Sequence, residues 1–142
     1  MRITGIHHLT LIARDLGRTT SFYRDLLGLA LVREGRNADD PTARSCTFGD
    51  ENGTPGTLVT FLEYPRMPQG VVGYGSTHHF AFGVGSSEEL VAWRDYLRTN
   101  GVQCTDVFAR DGLESLYLRD PDGHIVEIAT AAAAPGASLT KE

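Results

Sequence analysis

The feature that most limits what this chain can fold into is a repeat. Gly5-Ile6-His7-His8-Leu9-Thr10-Leu11-Ile12 returns as Ser76-Thr77-His78-His79-Phe80-Ala81-Phe82-Gly83, each time a His-His pair running into an apolar segment. Arg24-Asp25 follows His8 by sixteen residues, and Arg94-Asp95 follows His79 by fifteen. Self-similarity at this spacing means two diverged copies of one supersecondary unit. Each copy must therefore build the same elements.

The apolar segment after each His-His pair reads as a strand. Phe22, Leu26 and Leu27 in the first copy, and Leu90, Trp93 and Leu97 in the second, fall on one face of a helix. Ser86 or Ser87, ahead of Glu88 and Glu89, predicts the second helix start: serine caps free amides and acidic groups favour the positive end of the dipole. Gly28 and Asn100-Gly101 predict the stops. Three short strands follow in each copy, at 29–33, 44–48 and 57–63, then at 103–107, 115–118 and 125–129. Asp120-Pro121-Asp122-Gly123 reads as a plain turn between the last two. The expected class is α+β, with two βαβββ modules, about 4–64 and 76–130, in a single domain over 1–130. A half-sheet of this kind cannot cover itself, so the modules are expected to pack together into a curved, partly open mixed sheet. The segment Ala131 to Glu142 has no periodicity and is expected to be a flexible tail.

Charge and composition narrow the partners. The net charge of −5 is spread without a Lys/Arg cluster, which argues against nucleic acid and anionic membranes and leaves small molecules. There is no apolar run near the roughly 18 residues of a membrane span. Met1-Arg2-Ile3-Thr4-Gly5 lacks the pattern of an export signal, and Cys46 and Cys104 form no CxxC motif, so a reducing cytoplasm is the expected setting.

Strand alternation sorts the chemistry. His8 shares a face with Thr10, His79 with Ala81, and Glu127 with Ile125 and Ala129. A carboxylate facing inward from Ile125-Val126-Glu127-Ile128-Ala129 needs a partner, and a metal would supply one. Two imidazoles and a carboxylate from three strands make a facial set that holds a divalent ion and leaves positions open for water, substrate or dioxygen. The plain alternative is a hydrogen-bonded structural histidine and a solvent-facing edge glutamate. Recurrence of the His-His pair puts the two readings level on residue logic alone. Tyr117 and Arg110, shortly before Glu127, read first as a rim aromatic and a solvated loop charge, with pocket roles as the alternative.

The His-His-Leu-Thr-Leu pattern, Phe22-Tyr23-Arg24-Asp25-Leu26-Leu27-Gly28-Leu29 and Asp120-Pro121-Asp122-Gly123-His124-Ile125-Val126-Glu127 together resemble the glyoxalase, bleomycin-resistance and extradiol dioxygenase (vicinal oxygen chelate) superfamily, over roughly 4–130. Gly49 to Phe61 and Glu114 to Pro121 resemble the ring-cleaving dioxygenases that act on hydroquinones. That resemblance implies metal ligands at His8, His79 and Glu127, and acid-base and substrate-contacting groups at His7, Arg110 and Tyr117. It implies Fe(II) foremost, with Mn, Ni or Zn as alternatives, and a small dihydroxylated aromatic substrate. Such dioxygenases carry two of these double-module domains, which implies a homodimer here. Two rival branches share the metal set. Glyoxalase-type isomerases add a glutamate near the end of the first copy, matched here to Phe61, with Glu63 two residues on. Fosfomycin-type thiol transferases fit Thr10, Ser115 and Tyr117, but Val107 stands near the position of their phosphonate-gripping base. A third branch, the bleomycin-binding proteins, traps aromatic ligands without catalysis.

Overall fold

The computed structural model describes residues 1–130, so the expected tail at 131–142 lies outside the described residues. The chain divides into two compact units, Met1–Gly70 and a second from Val71 onward. Unit one runs β1 (His8–Ala13), α1 (Leu16–Thr20) continuing into a π-helical turn (Ser21–Leu26), β2 (Ala30–Arg36), β3 (Arg44–Gly49) and β4 (Leu58–Glu63). Unit two runs β5 (Phe80–Val84), α2 (Ser87–Thr99), β6 (Phe108–Arg110), β7 (Leu113–Arg119) and β8 (Ile125–Thr130). Each is the expected βαβββ module, and each forms its own four-stranded mixed sheet. The strand orders are β1-β4-β3-β2 and β5-β8-β7-β6. In both, the first and last strands of the module pair in parallel and the remaining pairs are antiparallel. A parallel pair needs a long crossover, which the helix and two intervening strands provide.

Pleating gives each sheet two unlike faces. In unit one Cys46, Phe48, Val59 and Phe61 are buried beneath the helix, where Tyr23 lies 4.7 Å from Phe61 and 5.9 Å from Phe48 between ring centroids. Burial of such rings contributes about 1.5–3 kcal/mol each. In unit two Leu116, Leu118, Val126 and Ile128 alternate in the same way, and α2 adds Leu90 and Leu97, both fully buried. The other face of each sheet carries His8, Thr10, Thr47 and Thr60, or Ser115, Tyr117 and Glu127.

The first helix departs from the expected stripe. A hydrogen bond from Leu27 N to Phe22 O spans five residues and widens the turn, which buries Tyr23 completely as well as Phe22 and Leu27. Gly28, at φ +80°, closes it as expected, with Leu29 N bonding Tyr23 O. At the second helix Ser86 is the cap. Its hydroxyl accepts from Glu89 N while the Glu89 carboxylate accepts from Gly85 N, a reciprocal arrangement that ties down two free amides.

Two expectations need correction. The strand expected at 103–107 is irregular, touching β7 through an isolated Cys104–Leu118 bridge and the Thr105 hydroxyl on Tyr117 N; the strand begins instead at Phe108. Asp111-Gly112 makes the difference. Both have positive φ, 52° and 77°, as a two-residue hairpin turn demands, and the turn sets the Phe108–Ser115 register. The second correction concerns Phe61. Thr10 pairs with Thr60 in unit one as Ala81 pairs with Glu127 in unit two, so Thr60 is the counterpart of Glu127 and Phe61 belongs to the core.

The same register aligns Asp50-Glu51-Asn52-Gly53-Thr54 with Asp120-Pro121-Asp122-Gly123-His124. Asp50 accepts from Asn52 N and Thr54 N, and Asp120 from Asp122 N and His124 N. The Asp120 turn is therefore a structural device, as read from sequence, and it recurs in both modules. No helix among the described residues is long and apolar enough to cross a membrane.

Candidate metal centre

Parallel pairing of β5 with β8 brings together residues 48 positions apart. His79, immediately before β5, and Glu127, in the middle of β8, approach to 3.1 Å between Nε2 and Oε2. Glu127 is only 8% exposed, and its other carboxylate oxygen accepts a 2.5 Å hydrogen bond from the Ser115 hydroxyl on β7. A carboxyl group at that depth is tolerable because both oxygens have partners.

The adjacent histidine fixes the other side of the imidazole. His78 Nδ1 and His79 Nδ1 are 2.7 Å apart, and two ring nitrogens at that distance share one proton, one donating and the other accepting. Nδ1 of His79 is thereby occupied, so a metal ion would have to take Nε2, the nitrogen that now faces Glu127. In unit one the His7–His8 pair repeats this contact at 3.0 Å.

Tyr117 pairs with Glu127 across β7 and β8 and sets its ring edge-on to His79, with centroids 5.6 Å apart. Loss of hydration, followed by the Glu127 carboxylate beside it, raises the phenol pKa above its ordinary value, against a smaller opposing effect of Arg110. Tyr117 therefore remains a protonated donor across the neutral range. Arg110, exposed at the end of β6, lies over the Phe108 ring, which in turn stacks on Tyr117.

Of the residues expected from sequence, unit two gathers His79, Glu127, Tyr117 and Arg110 on one sheet face. His8 opens β1 of unit one, with His7 immediately before it. Among the described residues no three His, Cys, Asp or Glu side chains form a group that would hold a metal. The donors that do meet suit one. An imidazole nitrogen and a carboxylate oxygen converge here from two strands, and that N/O set would suit a borderline divalent ion. Sequence reasoning named Ser115 only through a rival branch and did not name Phe108. Their signals were present: Ser115 and Tyr117 alternate on one face, and Arg110-Asp111-Gly112-Leu113 is a two-residue hairpin signature that puts Phe108 opposite Ser115.

Comparison with known proteins bears on this arrangement. The pattern of the Glyoxalase/Bleomycin resistance protein/Dioxygenase superfamily matches residues 5–128. MhqE of Bacillus subtilis strain 168, named as a ring-cleaving dioxygenase, is 37% identical over 115 residues, covering 80% of this chain and 38% of that protein. A crystal structure described as a dioxygenase from the same organism shares 35% identity at a TM-score of 0.83, covering 89% of this chain and 40% of the other. The metallothiol transferase FosB of Staphylococcus epidermidis is 29% identical over 132 residues, covering 92% of this chain and 84% of that protein. The chain thus spans about two fifths of the ring-cleaving relatives' length.

Proposed function

Because the chain belongs to the glyoxalase/bleomycin resistance protein/dioxygenase superfamily, we propose that it is a metal-dependent enzyme whose ion is held by His8, His79 and Glu127. The observation that carries this reading is the His79–Glu127 pair, a buried carboxylate and an imidazole with Nδ1 already committed. Kinship with ring-cleaving dioxygenases and with a metallothiol transferase supports a metal cofactor in general. Within that class we favour Fe(II) and ring cleavage of a small dihydroxylated aromatic by a homodimer.

A divalent ion at these residues would supply positive charge that lowers the pKa of a bound hydroxyl. The chain's own groups do the rest. Ser115 keeps the Glu127 carboxylate oriented, Tyr117 presents a protonated phenol beside it, and Arg110 offers a counter-charge for an anion developing on the ring. His7, bonded to His8 through Nδ1, is the candidate base. The faces of Phe108 and Tyr117 suit a planar ring.

A second reading has its own support. FosB matches over most of its length, and Arg110 provides on the same face the cation that Val107 does not. The same ligands would then polarise an epoxide for thiol addition without oxygen. One experiment separates the classes: metal content per chain by elemental mass spectrometry after anaerobic Fe(II) loading and desalting, with oxygen uptake on hydroquinone. Near one iron per chain with oxygen consumed, both lost in His79→Ala, is the expected result. Firm retention of manganese, nickel or zinc without oxygen uptake would favour thiol transfer. Failure to retain any metal would leave an aromatic-ligand binding protein.

A further inference from the structure

Phe108, so far only a ring face for a planar ligand, also links the groups that carry the chemistry. Pairing of Phe108 with Ser115, and of Tyr117 with Glu127, puts Phe108, Arg110, Ser115, Tyr117 and Glu127 on one face of the second sheet. Arg110 sits next to the hairpin tip, where a long exposed side chain has many rotamers open to it. None of the ion pairs among the described residues engages it. Its guanidinium carbon instead lies 5.3 Å from the Phe108 ring centroid. Phe108 stacks on Tyr117 at 5.6 Å with 19° between planes, and Tyr117 meets His79 edge-on at 5.6 Å. A continuous row of rings thus runs from the cation to the candidate ligands.

We propose that Phe108 is a positioning residue: its ring, laid against Tyr117, holds the Arg110 guanidinium over the His79–Glu127 face, where it meets an anionic group on a planar aromatic ligand. Attraction between a guanidinium and a ring face supplies the hold, and the turn at Asp111-Gly112 supplies a fixed base for it. The part played by Arg110 toward a ligand rests on the function proposed above; its retention by Phe108 does not.

The test uses the full apo chain with labelled arginine. Ring currents from Phe108 should shift the Arg110 Hδ and Nε–Hε resonances; Phe108→Leu should erase these shifts and Phe108→Tyr should keep them. Phe108→Met takes the place of Phe108→Leu if that variant does not fold. Titration with 4-hydroxybenzoate should then show dissociation constants about threefold weaker in Phe108→Leu and in Arg110→Gln, no weaker in the double variant, and restored in Phe108→Tyr. Arg110 resonances indifferent to loss of the ring would overturn the proposal, as would losses that add in the double variant. If the unaltered protein does not bind 4-hydroxybenzoate, the counter-charge role falls, and the ring-current result alone decides whether Phe108 holds Arg110. Oxygen uptake enters neither readout, so failure of the ring-cleavage reading leaves both decisive.

Discussion

The two modules share element order, strand order and the register of their first, third and fourth strands, but they differ in what stands beside their histidine pairs. Thr60 occupies the place of Glu127, and Thr47 the place of Tyr117. The two threonine hydroxyls bond to each other at 2.8 Å, a neutral and self-contained pair. Glu127 instead reaches outward to Ser115 and His79. The helix-covered faces diverged far less in character, because each must stay apolar to bury its helix. Duplication therefore left one face free to change its chemistry while the other kept the fold.

The sharpest way to break this comparison is to exchange carboxylate for amide on one side only. Glu127→Gln should abolish retention of a divalent ion on desalting, whereas Thr60→Val should leave metal content unchanged; equal effects would show that the modules are not chemically distinct. Ser115→Ala, which deprives Glu127 of its hydroxyl donor, should weaken metal affinity about tenfold in a competition titration. On the core side, Phe61→Ala should cost about 3–5 kcal/mol in denaturant unfolding, with Ile128→Ala, its counterpart in unit two, costing about 2–5. A much smaller loss at either would mean that one helix-covered face is not tightly packed. Thr47→Val or Thr60→Val alone should cost about 1 kcal/mol, and the double substitution less than the sum, since it leaves no hydroxyl without its partner.

The smallest effect is in the repeated turns. Hydrogen bonding from the Thr54 hydroxyl, then from the Thr54, Asn52 and Gly53 amides, lowers the Asp50 pKa against a small opposing loss of hydration. A carboxylate with a depressed folded pKa contributes stability above its unfolded value of about 3.9, and that contribution is lost as pH falls through the lower folded value. Stability measured from pH 6 downward should therefore decline slightly more steeply below about pH 4 than in Asp50→Asn.

Much of this architecture could be read before any coordinates. The repeat set the order of elements in both modules, Ser86 and Gly28 marked helix ends, and period-two alternation placed His8 with Thr10, His79 with Ala81, and Glu127 with Ile125 and Ala129 on shared faces. What failed did so for identifiable reasons. Periodicity counts in steps of three and four, so a π-helical turn that buries Tyr23 escapes it. The strand expected at 103–107 was placed without counting back from the Asp111-Gly112 turn, which fixes the hairpin with Phe108 as its first paired residue. The Phe61 match was off by one residue, which in a strand is the difference between core and the opposite face. Pairing of His79 with Glu127 was inferred from residue types, and no local pattern encodes a parallel contact between strands so far apart.

That separation has a consequence for how the protein is made. The nitrogen and the oxygen that meet at 3.1 Å are 48 residues apart, and β8 inserts between β5 and β7 as the last strand of its module. During synthesis at about 5–20 residues per second, several seconds pass between the emergence of His79 and that of Glu127. Throughout that interval β5 and β7 have no strand between them, and each exposes backbone groups that only β8 can pair. Long-range pairing of this kind slows folding and prolongs exposure of bare strand edges, so the nascent chain is most prone to aggregate shortly before its ligand pair can form.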